Sequence, residues 1–129
     1  MDLNRQVILG NVGSSPEMRF FPDGTPSTTF RVAVNKTYKN RNGETQKETE
    51  WFQVVTFKRQ AETCNEFLHS GMRVYVEGET KTRSWEGQDG QKKYRTEVRA
   101  QRVIFLDKRS GEQREVVDDE VDAEALPFE

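Results

Sequence analysis

Through the first 106 residues, apolar side chains recur mostly at every second position. That is the period of a strand, whose successive side chains point to opposite faces. Gln6–Val12 reads as a short apolar strand, with Gly10 and Gly13 allowing a bulge or a sharp bend. Glu17–Phe21 is a second short piece, closed by the turn signal Pro22-Asp23-Gly24. In Ser27–Lys36, Phe30, Val32 and Val34 face one way, and Arg31, Ala33 and Asn35 face the other. The polar stretch TYKNRNGETQKE follows and reads as a loop with one aromatic, Tyr38. Glu50–Lys58 is a strand rich in aromatic and β-branched residues, which suit a pleated surface. The period turns helical over Gln60–Ser70, where Ala61, Cys64, Phe67 and Leu68 share a face and Gly71 stands just past the end. Met72–Trp85 is a long strand, EGQDGQ a hairpin tip, and Lys93–Leu106 the returning strand. Beyond Asp107 the periodicity stops, and a disordered tail is expected.

Five main strands with one short helix between the third and the fourth predict an all-β OB-fold, a five-stranded Greek-key barrel. Length makes the 129-residue chain one domain, residues 1–106, followed by an acidic segment over residues 107–129. A barrel removes sheet edges and has an inside and an outside. The third main strand then poses a difficulty. Trp51, Gln53, Val55 and Phe57 share one face, while Phe52, Val54 and Thr56 share the other. Both faces are apolar, and the barrel interior covers only one.

The fourth main strand sharpens the point. Met72, Val74, Val76 and Gly78 form its core face, whereas Trp85 shares a row with Lys81 and Arg83. Tyr38 stands among Lys36, Lys39 and Arg41, and Trp51 and Phe57 have Lys58 and Arg59 close by. Rings interleaved with cations suit unpaired nucleic acid: the rings stack on bases with little regard to sequence, and the cations follow the phosphates. Plainer readings stand beside this one. Trp51 and Phe57 fit a core or a subunit interface, and Tyr38 and Trp85 fit isolated surface aromatics. Phe52 and Val54 read as core or interface, Phe20 and Phe21 as packing, Cys64 as core, and His69 as a helix C-terminal residue.

Charge adds an asymmetry to a formal net charge of −2. From Asp107 onward there are nine acids and three bases, a balance of −6, leaving thirteen acids and seventeen bases before it, a balance of +4. A basic body suggests a polyanionic ligand, and an acidic tail a separate task; a soluble domain with a frayed acidic end is the plainer alternative. Apolar residues make up 33% of the chain, and no apolar run is long enough to span a bilayer. The start, MDLNRQVILGNVG, lacks the features of a signal peptide, and the single cysteine excludes an internal disulfide. Both point to a soluble cytoplasmic protein with no membrane partner. No catalytic constellation emerges. The one His and the one Cys are five residues apart on the helix, there is no phosphate-binding glycine loop, and the acids form no spaced metal motif. Neither an enzyme nor a cofactor is expected.

The segments VILGNVGSSPEMRFFPDG, TEWFQVVTF and LHSGMRVYVEGETKTRSW, with an acidic end closing in LPFE, resemble bacterial-type single-stranded DNA-binding protein. The likeness runs in order from about Leu3 to Leu106. It implies a nucleoid-associated OB-fold homotetramer that coats single-stranded DNA during replication, repair and recombination. It further implies base stacking on Tyr38, Trp51, Phe57 and Trp85, and phosphate contacts from Arg5, Arg19, Arg59, Lys81 and Arg83. Gln53 and Ser84 stand where the family often has a base. The tail resemblance falls on Asp118, Asp119, Glu120, Asp122, Leu126, Pro127 and Phe128, and implies docking of replication and repair proteins. The linker is shorter than is usual in the family, and Glu129 follows the phenylalanine. An OB-fold RNA-binding protein or a replication-restart accessory is the alternative, since stacking alone does not tell DNA from RNA.

Overall fold

Alternating burial along the strands of the computed structural model separates the inside of a barrel from its outside; the structure describes residues 1–106 and 115–118. Ile8 and Val12 of β1 (Gln6–Val12), Phe30 and Val32 of β3 (Pro26–Lys39) and Val54 of β4 (Thr45–Phe57) point inward. Val74 and Val76 of β5 (Arg73–Glu86) and Val98 and Val103 of β6 (Lys92–Phe105) complete that interior. A fully buried side chain of this kind stabilises the fold by about 1.5–3 kcal/mol relative to exposure.

The barrel closes because β1 pairs antiparallel with both β5 and β3. Around the ring the order is β1, β5, β6, β4, β3 and back to β1. All neighbours are antiparallel except β4 and β6, which meet in parallel over only Val54↔Val98 and Val55↔Arg99. This is the expected five-stranded barrel, with the helix α1 (Lys58–Phe67) between its third and fourth strands. A short β2 (Glu17–Phe20) adds to β3. The helix starts without a linker: Lys58 takes φ +59, the only positive value at a non-glycine among the described residues. A left-handed L-residue costs about 1–2 kcal/mol. Packing offsets this, since Ala61 and Cys64 are fully buried and Thr28 Oγ1 donates to the Ala61 carbonyl at 2.7 Å.

Two expectations need correction. The stretch holding Tyr38 is not a loop. β3 and β4 stay paired from Ser27↔Phe57 to Lys39↔Thr45, so Tyr38 is a strand residue opposite Gln46. This outer half of the hairpin leaves the barrel as a solvated arm, so neither face needs apolar residues and the alternation disappears. The true turn is held by Asn40, whose Oδ1 accepts the N–H groups of Asn42 and Glu44 at 2.9 and 3.0 Å. The helix begins two residues early and ends at Phe67, which leaves His69 beyond it. Within the stretch expected as a tail, the described residues form β7 (Glu115–Asp118), which pairs antiparallel with β6 from Phe105↔Glu115 to Arg102↔Asp118, and the rest of that stretch lies outside the described residues. Among the described residues, no helix is long and apolar enough to cross a membrane.

Candidate nucleic-acid interface

Outward positions of β2, β3, β4, β6 and β5 form one continuous surface. The register aligns Trp51 with Ala33, Gln53 with Arg31, Val55 with Thr29 and with Arg99, and Phe57 with Ser27. Across β6 and β5 it aligns Glu97 with Lys81, Arg95 with Arg83, and Lys93 with Trp85. Trp51 is 47% and Trp85 44% exposed, while Phe57 is half-buried. Each ring has an arginine over it. Arg31 lies 4.6 Å from the Trp51 centroid, Arg99 5.1 Å from Phe57 and Arg95 5.8 Å from Trp85. Such contacts fall within cation–π range. Between Phe57 and Arg83 opens a cleft of about 480 Å³, with Val55 among its lining residues. The second apolar face of β4 therefore looks into a groove rather than a core.

Glu97 lies at the centre of this basic surface and is only 3% exposed. Its Oε2 accepts from Gln53 Nε2 at 3.1 Å and pairs with Arg83 Nη1 at 3.4 Å. Arg95 Nη1 in turn donates to Gln53 Oε1 at 3.4 Å. A buried carboxylate needs such partners, because removing it from water without them is expensive. The network ties the Arg83 side chain, itself 65% exposed, to the surface of the barrel.

The structure brings Trp51, Phe57 and Trp85 onto this face, but not Tyr38. The β3–β4 register has no bulge, so Tyr38 has the opposite parity to Arg31 and Trp51 and sits on the other side of the arm, 45% exposed. Arg19, Lys81 and Arg83 lie on the same face as Trp51 and Phe57, Arg19 within a surface ion pair to Glu17 at 3.3 Å. Arg59 is exposed in the first turn of α1. Arg5 precedes β1 and pairs with Glu77 at 2.7 Å, away from the groove. Asp118 closes β7, while Asp119, Glu120, Asp122, Leu126, Pro127 and Phe128 lie outside the described residues.

Sequence reasoning missed Arg31, Arg95, Arg99 and Gly13. Alternation on β6 would have found the two later arginines, but its phase reverses. Glu77↔Arg102 and Gly78↔Ala100 leave Gln101 as an extra residue, so Val98 and Ala100 point inward before this bulge and Val103 and Phe105 after it. Arg31 and Gly13 meet Trp51 only through the cross-strand register and the exit from β1, which spacing does not encode. Elsewhere, burial pushes the Tyr75 phenol above its ordinary pKa, and the nearby Glu77 carboxylate adds to the rise. Among the described residues, no group of three or more His, Cys, Asp or Glu is placed to hold a metal ion.

A closed five-stranded Greek-key barrel with one helix between its third and fourth strands places the protein in the OB-fold class, here with rings and arginines on an outward face. Residues 3–106 match the profile of the Single-strand binding protein family, and the chain belongs to that family. The family is one of binding proteins rather than enzymes. The chain is 40% identical over 108 residues to Single-stranded DNA-binding protein 1 of Xylella fastidiosa, covering 83% of this chain and 79% of that one. It is 41% identical over 109 residues to Single-stranded DNA-binding protein A of Bacillus subtilis, covering 84% of this chain and 62% of that one. Among solved structures, the Plasmodium falciparum SSB complex with ssDNA superposes with a TM-score of 0.77 at 31% identity, covering 83% of this chain and 97% of that one.

Proposed function

We propose that the protein binds single-stranded DNA with little sequence preference. Bases stack on Trp51, Phe57 and Trp85 along the groove and on Tyr38 across the arm. Arg19, Arg59, Lys81 and Arg83 follow the phosphates, joined by Arg31, Arg95 and Arg99, with Arg5 at the margin. The observation that carries this reading is that two half-exposed tryptophans on one barrel face each lie under an arginine. A core would seal such rings; a stacking platform needs them open and cationic. The structural likeness to a family member solved with single-stranded DNA supports the same reading.

The test is tryptophan emission during titration with poly(dT) at two salt concentrations. Strong quenching, with affinity falling as salt rises, is expected from stacking and counterion release. Unchanged emission at saturating poly(dT) would overturn the reading. Competition by an RNA oligomer of equal length measures the preference for deoxyribose.

The coating role extends to DNA replication, repair and recombination in the nucleoid, with the acidic tail recruiting partner enzymes. Acids at Asp118, Asp119, Glu120 and Asp122 steer the tip to a basic pocket, and Leu126, Pro127 and Phe128 supply apolar contact. A homotetramer fits an outward apolar patch on β1: Val7 is 48% and Leu9 44% exposed, and Leu9 lies beside the half-buried Tyr75 of β5. Sedimentation equilibrium would return four chains; a monomer at micromolar concentration would exclude the assembly.

A further inference from the structure

Phe21, which the sequence pattern suggests is packing, is 48% exposed. Its ring lies 6.0 Å from that of Phe57, with the planes only 22° apart. This is the offset, near-parallel arrangement that aromatic pairs prefer. Arg99 approaches the same Phe57 ring at 5.1 Å. The strand order β6-β4-β3-β2 places the two on opposite flanks of β4: Arg99 comes from β6, and Phe21 from the turn between β2 and β3. Phe57 is therefore engaged from both sides, and the ring of this set with the most access to solvent is Phe21.

The turn holds that ring in place. Phe21 N–H donates to the Thr25 carbonyl at 2.9 Å, and its own carbonyl accepts the Gly24 N–H at 2.8 Å. Gly24 takes φ +91, Asp23 Oδ1 accepts the Thr25 N–H at 2.9 Å, and Pro22 fixes its own φ. Two residues earlier, Arg19 lines the same cleft as Phe21. A lone surface phenylalanine needs no explanation. A ring held by a hydrogen-bonded turn, parallel to a second ring and beside a cation in an open groove, has the parts of a stacking platform already assembled.

We propose that Phe21 is a base-stacking residue: it is the solvent end of a stack Arg99–Phe57–Phe21 and takes an unpaired nucleobase on its open side, with Arg19 on the adjoining phosphate. Phe57 then acts mainly as the support of that platform. This role rests on the single-strand-binding reading above.

The test compares the full chain with Phe21→Leu and Phe21→Ala. Leucine keeps most of the apolar bulk but has no ring face. Affinity for an oligo(dT) is read by tryptophan quenching at two salt concentrations, and an oligonucleotide carrying 5-iododeoxyuridine is photocrosslinked and the adduct located by mass spectrometry. The expected results are an approximately fivefold loss for Phe21→Leu at both salts, the low end of what one stacked base contributes, an unchanged salt slope, an unchanged thermal midpoint, and a crosslink on Phe21. Wild-type affinity in both variants, or crosslinks that avoid Phe21, would overturn the assignment while leaving Trp51 and Trp85 quenching intact. Absence of quenching in the wild-type chain would instead sink the parent reading, and this one with it.

Discussion

Gly13 is packed against the ring edge of Trp51: a Cβ added there would overlap Cζ3 and stand 2.7 Å from Cη2. The chain leaving β1 thus touches one part of the indole while Arg31 lies 4.6 Å from its centroid. A half-exposed tryptophan on a strand has several rotamers open to it, and these two contacts select one.

Gly13→Ala should therefore disturb binding more than folding. The ring is half-exposed and can swing outward, so the unfolding free energy should change by less than about 1 kcal/mol, as for most surface changes. Affinity for oligo(dT) should fall by about 1 kcal/mol, part of the value of one stacked base. Gly78→Ala is the contrasting case. Its added Cβ would run into the Arg99 backbone carbonyl, which cannot swing away, so urea unfolding should show a loss of about 1–3 kcal/mol.

Trp51→Ala and Trp85→Ala should each weaken oligo(dT) binding by about 1–3 kcal/mol. Tyr38→Ala should cost less, because Tyr38 lies on the far side of the β3–β4 arm, away from the groove. Fluorescence anisotropy of a labelled oligonucleotide measures all three. Equal losses at the three positions would argue for a strand path that wraps both sides of the arm equally.

Glu97→Gln removes a negative charge from the middle of the basic surface and frees Arg83 and Gln53 from it. Oligo(dT) affinity at low salt should rise, and the dependence of log K on log salt should steepen by about 0.7, the value of one further phosphate contact on a single strand. A weaker complex with an unchanged slope would show that Glu97 matters chiefly for positioning Arg83.

Phe30→Ala empties the largest fully buried position in the barrel. Denaturant unfolding should record a loss of about 3–5 kcal/mol. Under conditions where the variant stays folded, the emission of Trp51 and Trp85 should still quench with poly(dT), because both lie on the outer face.

Truncation tests the acidic tail. Removing Val116–Glu129 should tighten DNA binding at low salt and matter less at high salt, where screening makes charge interactions short-ranged. Stopping after Asp118 keeps β7 and removes five acids and no base. If the two truncations behave alike, charge is the cause; if only the longer one tightens binding, β7 itself obstructs the ligand.

Period-two alternation by itself divided Phe30–Val34, Trp51–Phe57 and Val74–Trp85 into two faces each, and turned the valines of the first and third inward, because one sheet face must be dry and the other wet. With the one stretch of helical period, that was enough for the barrel, for the helix between its third and fourth strands, and for setting Trp85 apart from the valines; for Trp51 it left two apolar faces to choose between. Only the tertiary structure decided the rest. Arms without a core have no alternation, so Tyr38 looked like a loop residue. One extra residue at Gln101 reversed the phase of β6 and hid Arg95 and Arg99. The contacts of Gly13 with Trp51 and of Phe21 with Phe57 join segments far apart along the chain. Such contacts follow from cross-strand register and turn geometry, which are set when the barrel closes rather than by any local pattern.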